Sequence, residues 1–259
     1  MSSRHARPGT VYLVGAGPGD PELLTLRAQT LLASCDIILY DHLVNPLLLD
    51  HAPAHAERRY TGKVGHGSQH CQRDIEQALV DLALRRLRVV RLKGGDPLLF
   101  GRGGEEAAAL AAAGIPYEIV PGVSSALAVP AYAGIPLTHR GVASSVAIVA
   151  GQCLPECDRL PAATAGADTI VVLMGVARLR LIARRLLDAG RPAATPAAAI
   201  EWGTCDHQIE VIATLGTLAD AVVAQGLTAP AVIVIGEVVR LRDRLRWFDV
   251  PLSAESTLV

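Results

Sequence analysis

Apolar residues along this chain come in short unbroken runs separated by longer stretches with helical spacing. Residues 10–17 (TVYLVGAG) form one such run, closing on glycine, which is the pattern of a strand buried on both faces. Pro21 suits a first helical position, and residues 22–33 then carry Leu23, Leu24, Leu26, Leu31 and Leu32 along one helical face. Residues 35–40 (CDIILY) predict a second strand and residues 57–60 a weak third. Residues 72–86 repeat Ile75, Ala78, Leu79, Leu82 and Ala83, an amphipathic helix. A fourth strand is expected at 87–90, a helix at 105–113 and a fifth strand at 116–120. Strands and helices alternating at this spacing predict parallel βαβ units.

The second half has another rhythm. Strands are expected at 145–150, 169–174, 197–202, 208–213 and 231–235, with helices at 177–189 and 218–225. The order Gln208-Ile209-Glu210-Val211-Ile212 alternates polar and apolar, unlike the continuous runs before it. That predicts an antiparallel or exposed strand and a mixed second sheet. The Ala/Gly/Pro-rich segment 123–136, opening with a short helix, reads as a hinge. The expected organisation is therefore two α/β domains, 9–122 and 123–249, with a loose tail after Trp247.

Composition narrows the possibilities. The chain has 259 residues, of which 51% are hydrophobic, enough for a substantial core. Net charge is -1 and aromatics are 3%, which argues against a nucleic-acid partner. No apolar run approaches the roughly 18 residues of a membrane span, and the N-terminus lacks a signal-peptide core. A cytoplasmic location is expected. The five cysteines are odd in number and irregularly spaced, which fits reduced thiols. Cys153 and Cys157 with His66, His70 and Cys71 do not form a recognisable ligand pattern, so no metal is expected.

The chemistry concentrates in residues 91–106, RLKGGDPLLFGRGGEE. A strand here opens through Gly94, Gly95, Gly101, Gly103 and Gly104 into a helix, exposing main chain at the edge of a sheet where ligands sit. Asp96, Arg102, Glu105 and Glu106 add charge, although Glu105 and Glu106 also suit a helix first turn through the dipole alone. The run Gly15-Ala16-Gly17-Pro18-Gly19-Asp20 raises a nicotinamide-binding alternative, with Asp41 placed like a ribose-binding acid. The third glycine of that fingerprint falls on Asp20, and Pro18 removes a backbone donor, so the match fails where phosphate would be held.

Taken in order, these motifs resemble the tetrapyrrole methylases. The resemblance rests on Val14 to Pro21 with Leu24-Thr25, on Tyr40-Asp41-His42-Leu43-Val44, on Gly62-Lys63, on the 91–106 stretch, on Val120 to Ser125 and on Tyr132 to Arg140. It spans about residues 10–245 and looks most like the uroporphyrinogen-III C-methyltransferase branch. That resemblance implies a two-domain enzyme, usually a homodimer, that binds S-adenosylmethionine in an interdomain cleft. It implies methylation of uroporphyrinogen III at two pyrrole carbons, C-2 and C-7, giving precorrin-2 via precorrin-1; a later precorrin intermediate is the alternative substrate. Pro18, Gly94, Gly95, Asp96, Leu99, Ser124, Ser125, Met174 and Gly203 are the implied cofactor contacts. Asp41, Lys63, Arg102, Glu105 and Arg140 are the implied catalytic and substrate-handling residues, with Asp41 the expected base. Ser124-Ser125 stands where the family often has Thr-Ala, and Val64 where it commonly has Arg.

Overall fold

The structure, a computed structural model, describes residues 5–62, 72–153 and 162–248. The chain divides into two compact units, Met1–Ser125 and Ala126–Val259, so the break lies just beyond the expected hinge start.

The first unit contains β1 (Thr10–Gly15), α1 (Leu26–Leu32), β2 (Ile37–Tyr40), β3 (Glu57–Tyr60), α2 (Gln72–Leu84), β4 (Arg88–Lys93), α3 (Gly103–Ala112) and β5 (Tyr117–Val120). Its strands lie in the order β3-β2-β4-β1-β5, all parallel. Alternation sorts their side chains onto two cores. Tyr12, Val14, Ile38, Val90 and Leu92 pack on one face against Ala28, Leu31 and Leu32 of α1. Val11, Leu13, Ile37, Leu39 and Val89 pack on the other against Ile75 and Leu79 of α2 and Ala107 and Leu110 of α3. Adjacent strands β1 and β4 thus send their following helices to opposite faces. Their C-terminal ends form a topological switch point, where open α/β sheets bind ligands.

Two boundaries differ from the sequence expectation. The helix expected at 22–33 is divided. Asp20 accepts the Glu22 N–H at 2.8 Å and caps a 3-10 turn, Pro21–Leu23. Thr25 then accepts the Ala28 N–H at 3.2 Å and starts α1 afresh. The fourth strand, expected to end at Val90, runs on through Lys93. Arg91 and Lys93 continue the alternation on the α3 face and are buried there, because acids meet them.

The second unit contains nearly all of α4 (Ser125–Tyr132), then β6 (Val146–Ala150), α5 (Ala162–Gly166), β7 (Thr169–Leu173), α6 (Leu179–Asp188), β8 (Pro196–Glu201), β9 (Ile209–Thr214), α7 (Leu218–Ala224), β10 (Ala231–Ile235) and α8 (Arg242–Leu245). The sheet order is β6-β7-β10-β8-β9. Only β6 and β7 pair in parallel, so this sheet is mixed, as the alternating pattern of β9 predicted. At the edge, β9 buries Val211 and exposes Ile209 and Ile212. Ile170, Val172, Ile182, Leu186, Ala197 and Ile233 build the core of this unit.

Candidate functional site

Three loops leave β1, β4 and β5 at one edge of the first sheet, and glycines hold them together. The Gly95 N–H reaches the Gly17 carbonyl at 2.7 Å, and the Gly17 N–H returns to the Gly95 carbonyl at 3.2 Å. A Cβ on Gly15 would lie 2.5 Å from the Gly122 backbone and 2.6 Å from the Gly95 carbonyl oxygen. No side chain fits at that meeting point. Asp96 fixes the arrangement: its Oδ1 accepts the Leu98 and Leu99 N–H groups at 2.9 and 3.1 Å, and its Oδ2 accepts the Gly122 N–H at 3.2 Å.

Around this junction Pro18, Gly94, Gly95, Asp96, Leu99 and Ser125 are half-buried and Ser124 is buried. Gly95 lies beside the backbone of Ser124 and Ser125, and Gly94 lies beside Leu43. This part of the edge consists largely of main chain and small side chains, and the Asp96 carboxylate is engaged by backbone N–H groups. Such a surface fits S-adenosylmethionine, whose contacts would be main-chain groups rather than paired charges.

Met174 and Gly203 belong to the second unit. β7 and β8 both run antiparallel to β10, so their C-terminal ends share an edge. Met174 and Trp202 follow those ends directly, with left-handed φ of 54° and 47°. Non-glycine residues held in that region concentrate at functional sites. Met174 is exposed, while Gly203 is buried where any Cβ would collide with the Val129 side chain.

Charge gathers beside the glycine junction of the first unit, at the end of β2. Arg91 donates from Nη2 to Asp41 Oδ1 at 2.5 Å, from Nη1 to Thr61 Oγ1 at 3.0 Å and from Nε to Glu106 Oε1 at 3.0 Å. Lys93 donates to the same Glu106 oxygen at 2.8 Å, and its Nζ lies 3.8 Å from Asp41 Oδ2. Arg91, Lys93 and Glu106 are at most 3% exposed, whereas the Asp41 side chain is 31% exposed. Asp41 is therefore the face of the cluster that solvent, or a substrate, can reach. Burial pulls the Lys93 ammonium below its ordinary pKa, and the Arg91 charge adds to this; Glu106 and Asp41 oppose it.

The remaining expected residues lie elsewhere. Arg102 and Glu105 form an exposed pair, Nη2 to Oε2 at 2.6 Å. Each favours the other's charged form, with the arginine pKa raised and the glutamate pKa lowered by their hydrogen bond. Arg140 is exposed, and its carbonyl accepts the His139 ring N–H at 3.0 Å. Lys63 lies outside the described residues, as do Val64, His66, His70, Cys71 and Cys157. Sequence spacing assigns no role to Arg91 or Lys93. The available signal was two cations at i and i+2 of a strand, facing an acid in the first turn of the next helix. Among the described residues no helix is long and apolar enough to cross a membrane.

Comparison with known proteins gives consistent matches. The family model described as Tetrapyrrole (Corrin/Porphyrin) Methylases matches residues 10–219. The chain is 47% identical over 250 residues to a uroporphyrinogen-III C-methyltransferase of Bacillus subtilis, covering 95% of this chain and 97% of the relative. It is 50% identical to a sirohaem synthase of Chromobacterium violaceum over 93% of this chain, and spans 52% of that longer protein. The crystal structure of a uroporphyrin-III C-methyl transferase from Thermus thermophilus complexed with S-adenyl homocysteine superposes with a TM-score of 0.77 at 43% identity. It covers 90% of this chain and 99% of its own.

Proposed function

This chain belongs to the tetrapyrrole methylase family, and on that premise we propose that it methylates uroporphyrinogen III twice, giving precorrin-2 by way of precorrin-1. S-adenosylmethionine supplies, when bound, an electrophilic methyl group that an electron-rich pyrrole carbon can attack in line. The protein's task is then mainly geometric. Pro18, Gly94, Gly95, Asp96, Leu99, Ser124 and Ser125 hold the donor, and Met174 and Gly203 are the further contacts that membership of the family implies. Donor and acceptor must be kept aligned at about 3 Å, and a stiff junction of glycines suits that need.

Attack on the methyl group leaves the macrocycle with a positive charge that it sheds by losing a proton, and Asp41 is the base. It is the accessible carboxylate of the cluster, and Arg91 orients it through Oδ1. Arg102, Arg140 and Lys63 pair with the carboxylates of the macrocycle, Arg through two-pronged contacts. Arg102 exchanges Glu105 for substrate, and the exposure of that pair makes the exchange inexpensive. The enzyme acts as a homodimer in the cytoplasm, and light scattering of the purified protein tests the first part.

One observation carries this proposal: a reachable carboxylate, oriented by buried cations, stands next to a glycine-lined sheet edge. A nicotinamide cofactor fits less well, since Asp20 caps a 3-10 turn where that fingerprint needs glycine. Purified protein given methyl-labelled S-adenosylmethionine should label uroporphyrinogen III. Label entering only a later precorrin would overturn the substrate assignment.

A further inference from the structure

Asp41 does not act in isolation from the charges behind it. We propose that Lys93 and Glu106 are positioning residues that set how strong a base Asp41 is, Lys93 by holding the carboxylate ionised and Glu106 by holding Lys93 charged. This rests on the assignment of Asp41 as the base.

The geometry defines the coupling. Arg91 occupies Asp41 Oδ1, with the Thr61 hydroxyl 3.5 Å from the same oxygen. The Lys93 ammonium lies 3.8 Å from Oδ2. Behind both cations stands Glu106, fully buried, one oxygen shared by Arg91 and Lys93 and the other, Oε2, with no hydrogen-bond partner among the described residues. Next along the chain, the His42 ring is turned to the Tyr60 hydroxyl at 3.2 Å. Lys63 lies outside the described residues.

Among the described residues in this cluster, Arg91, Lys93 and Glu106 together present a net single positive charge to Asp41, which favours the carboxylate. Without the Lys93 charge the net becomes zero, Asp41 binds its proton more tightly, and the base is lost at a higher pH. If the Glu106 charge is then removed as well, Arg91 alone restores a net positive charge. Because Glu106 touches Asp41 only through the cations, that restoration should be partial.

The test is the pH dependence of kcat/KM for methyl transfer to uroporphyrinogen III, whose acidic limb reports the base of the free enzyme. Titration of the substrate carboxylates is common to all variants and cancels in the comparison. Lys93→Met should move the acidic limb up by about one pH unit, the scale expected of a charge this close. Lys93→Met with Glu106→Gln should bring it part of the way back, and Lys93→Arg should leave it near its original position. Calorimetric affinity for S-adenosylmethionine and circular dichroism establish that each variant is folded. If Lys93→Met does not fold, Lys93→Gln carries the same charge prediction with a side chain that can still donate to Glu106. An unmoved limb in a folded charge-removing variant, with Asp41→Asn inactive, overturns the proposal while Asp41 remains the base. An Asp41→Asn enzyme with undiminished kcat removes the base assignment itself.

Discussion

Glu105 and Glu106 are neighbours in α3, and both pair with basic residues at hydrogen-bond distance. Glu105 is half-exposed and meets Arg102 within its own helical turn. Glu106 is inaccessible and joins two cations of β4 to the end of β2. In the exposed pair water can replace either partner, so little depends on the contact. In the buried cluster nothing can replace a partner, so each charge fixes the state of the others. Identical residue types one position apart thus do different work because of burial and convergence.

Glu106→Ala should be the most damaging, because it leaves Arg91 and Lys93 buried with less counter-charge. A loss of about 3–5 kcal/mol is expected in denaturant unfolding, and a loss below about 1 kcal/mol would mean the cluster is screened like a surface pair. Asp41→Asn should reduce kcat about a hundredfold or more and leave affinity for S-adenosylmethionine nearly unchanged. Equal loss of both would make Asp41 a binding or folding residue. Asp96→Ala frees three backbone N–H groups that tie the loops after β4 and β5. It should cost about 1–3 kcal/mol of stability and weaken donor binding, read by calorimetry.

A carboxylate outside the site gives the pH control. Asp168 Oδ2 accepts both N–H and both hydroxyl groups of Ser144 and Ser145, which hold its pKa down to about 2. A depressed folded pKa contributes stability above the ordinary carboxylate range, and that contribution fades as pH falls towards about 2. Asp168→Asn should therefore flatten the acid side of the stability profile and leave the pH dependence of catalysis alone. The smallest effect on folding is expected for Glu105→Gln, below about 1 kcal/mol. Arg102→Ala should act instead on KM for the tetrapyrrole, and an unchanged KM would take Arg102 out of substrate binding.

Much of the fold can be read from periodicity. Continuous apolar runs such as Thr10–Gly15 mark strands covered on both faces, and the alternation of Ile209–Thr214 marks an edge. The motifs also locate the glycine junction, because Gly15 lies near the end of one predicted strand and Gly95 and Gly122 lie in the segments that follow two others. What periodicity misses is a strand that stays buried while turning ionic. Arg91 and Lys93 look like an exit into solvent until a partner is known, and that partner, Glu106, belongs to the next helix. Helix starts are similarly hidden. Leu23, Leu24 and Leu26 fit one apolar stripe, yet the Thr25 hydroxyl divides it by capping Ala28.

The meeting of Gly15, Gly95 and Gly122 limits how this architecture can be adapted. Three connecting segments share a single contact with no spare volume, so none can change its path without displacing the other two. Selection for a new acceptor molecule would find this place nearly closed to variation. It would have to work through the periphery, at exposed positions such as Leu98 and Phe100 in the same loop. An enzyme lineage built on such a knot keeps one donor and diversifies in what it modifies.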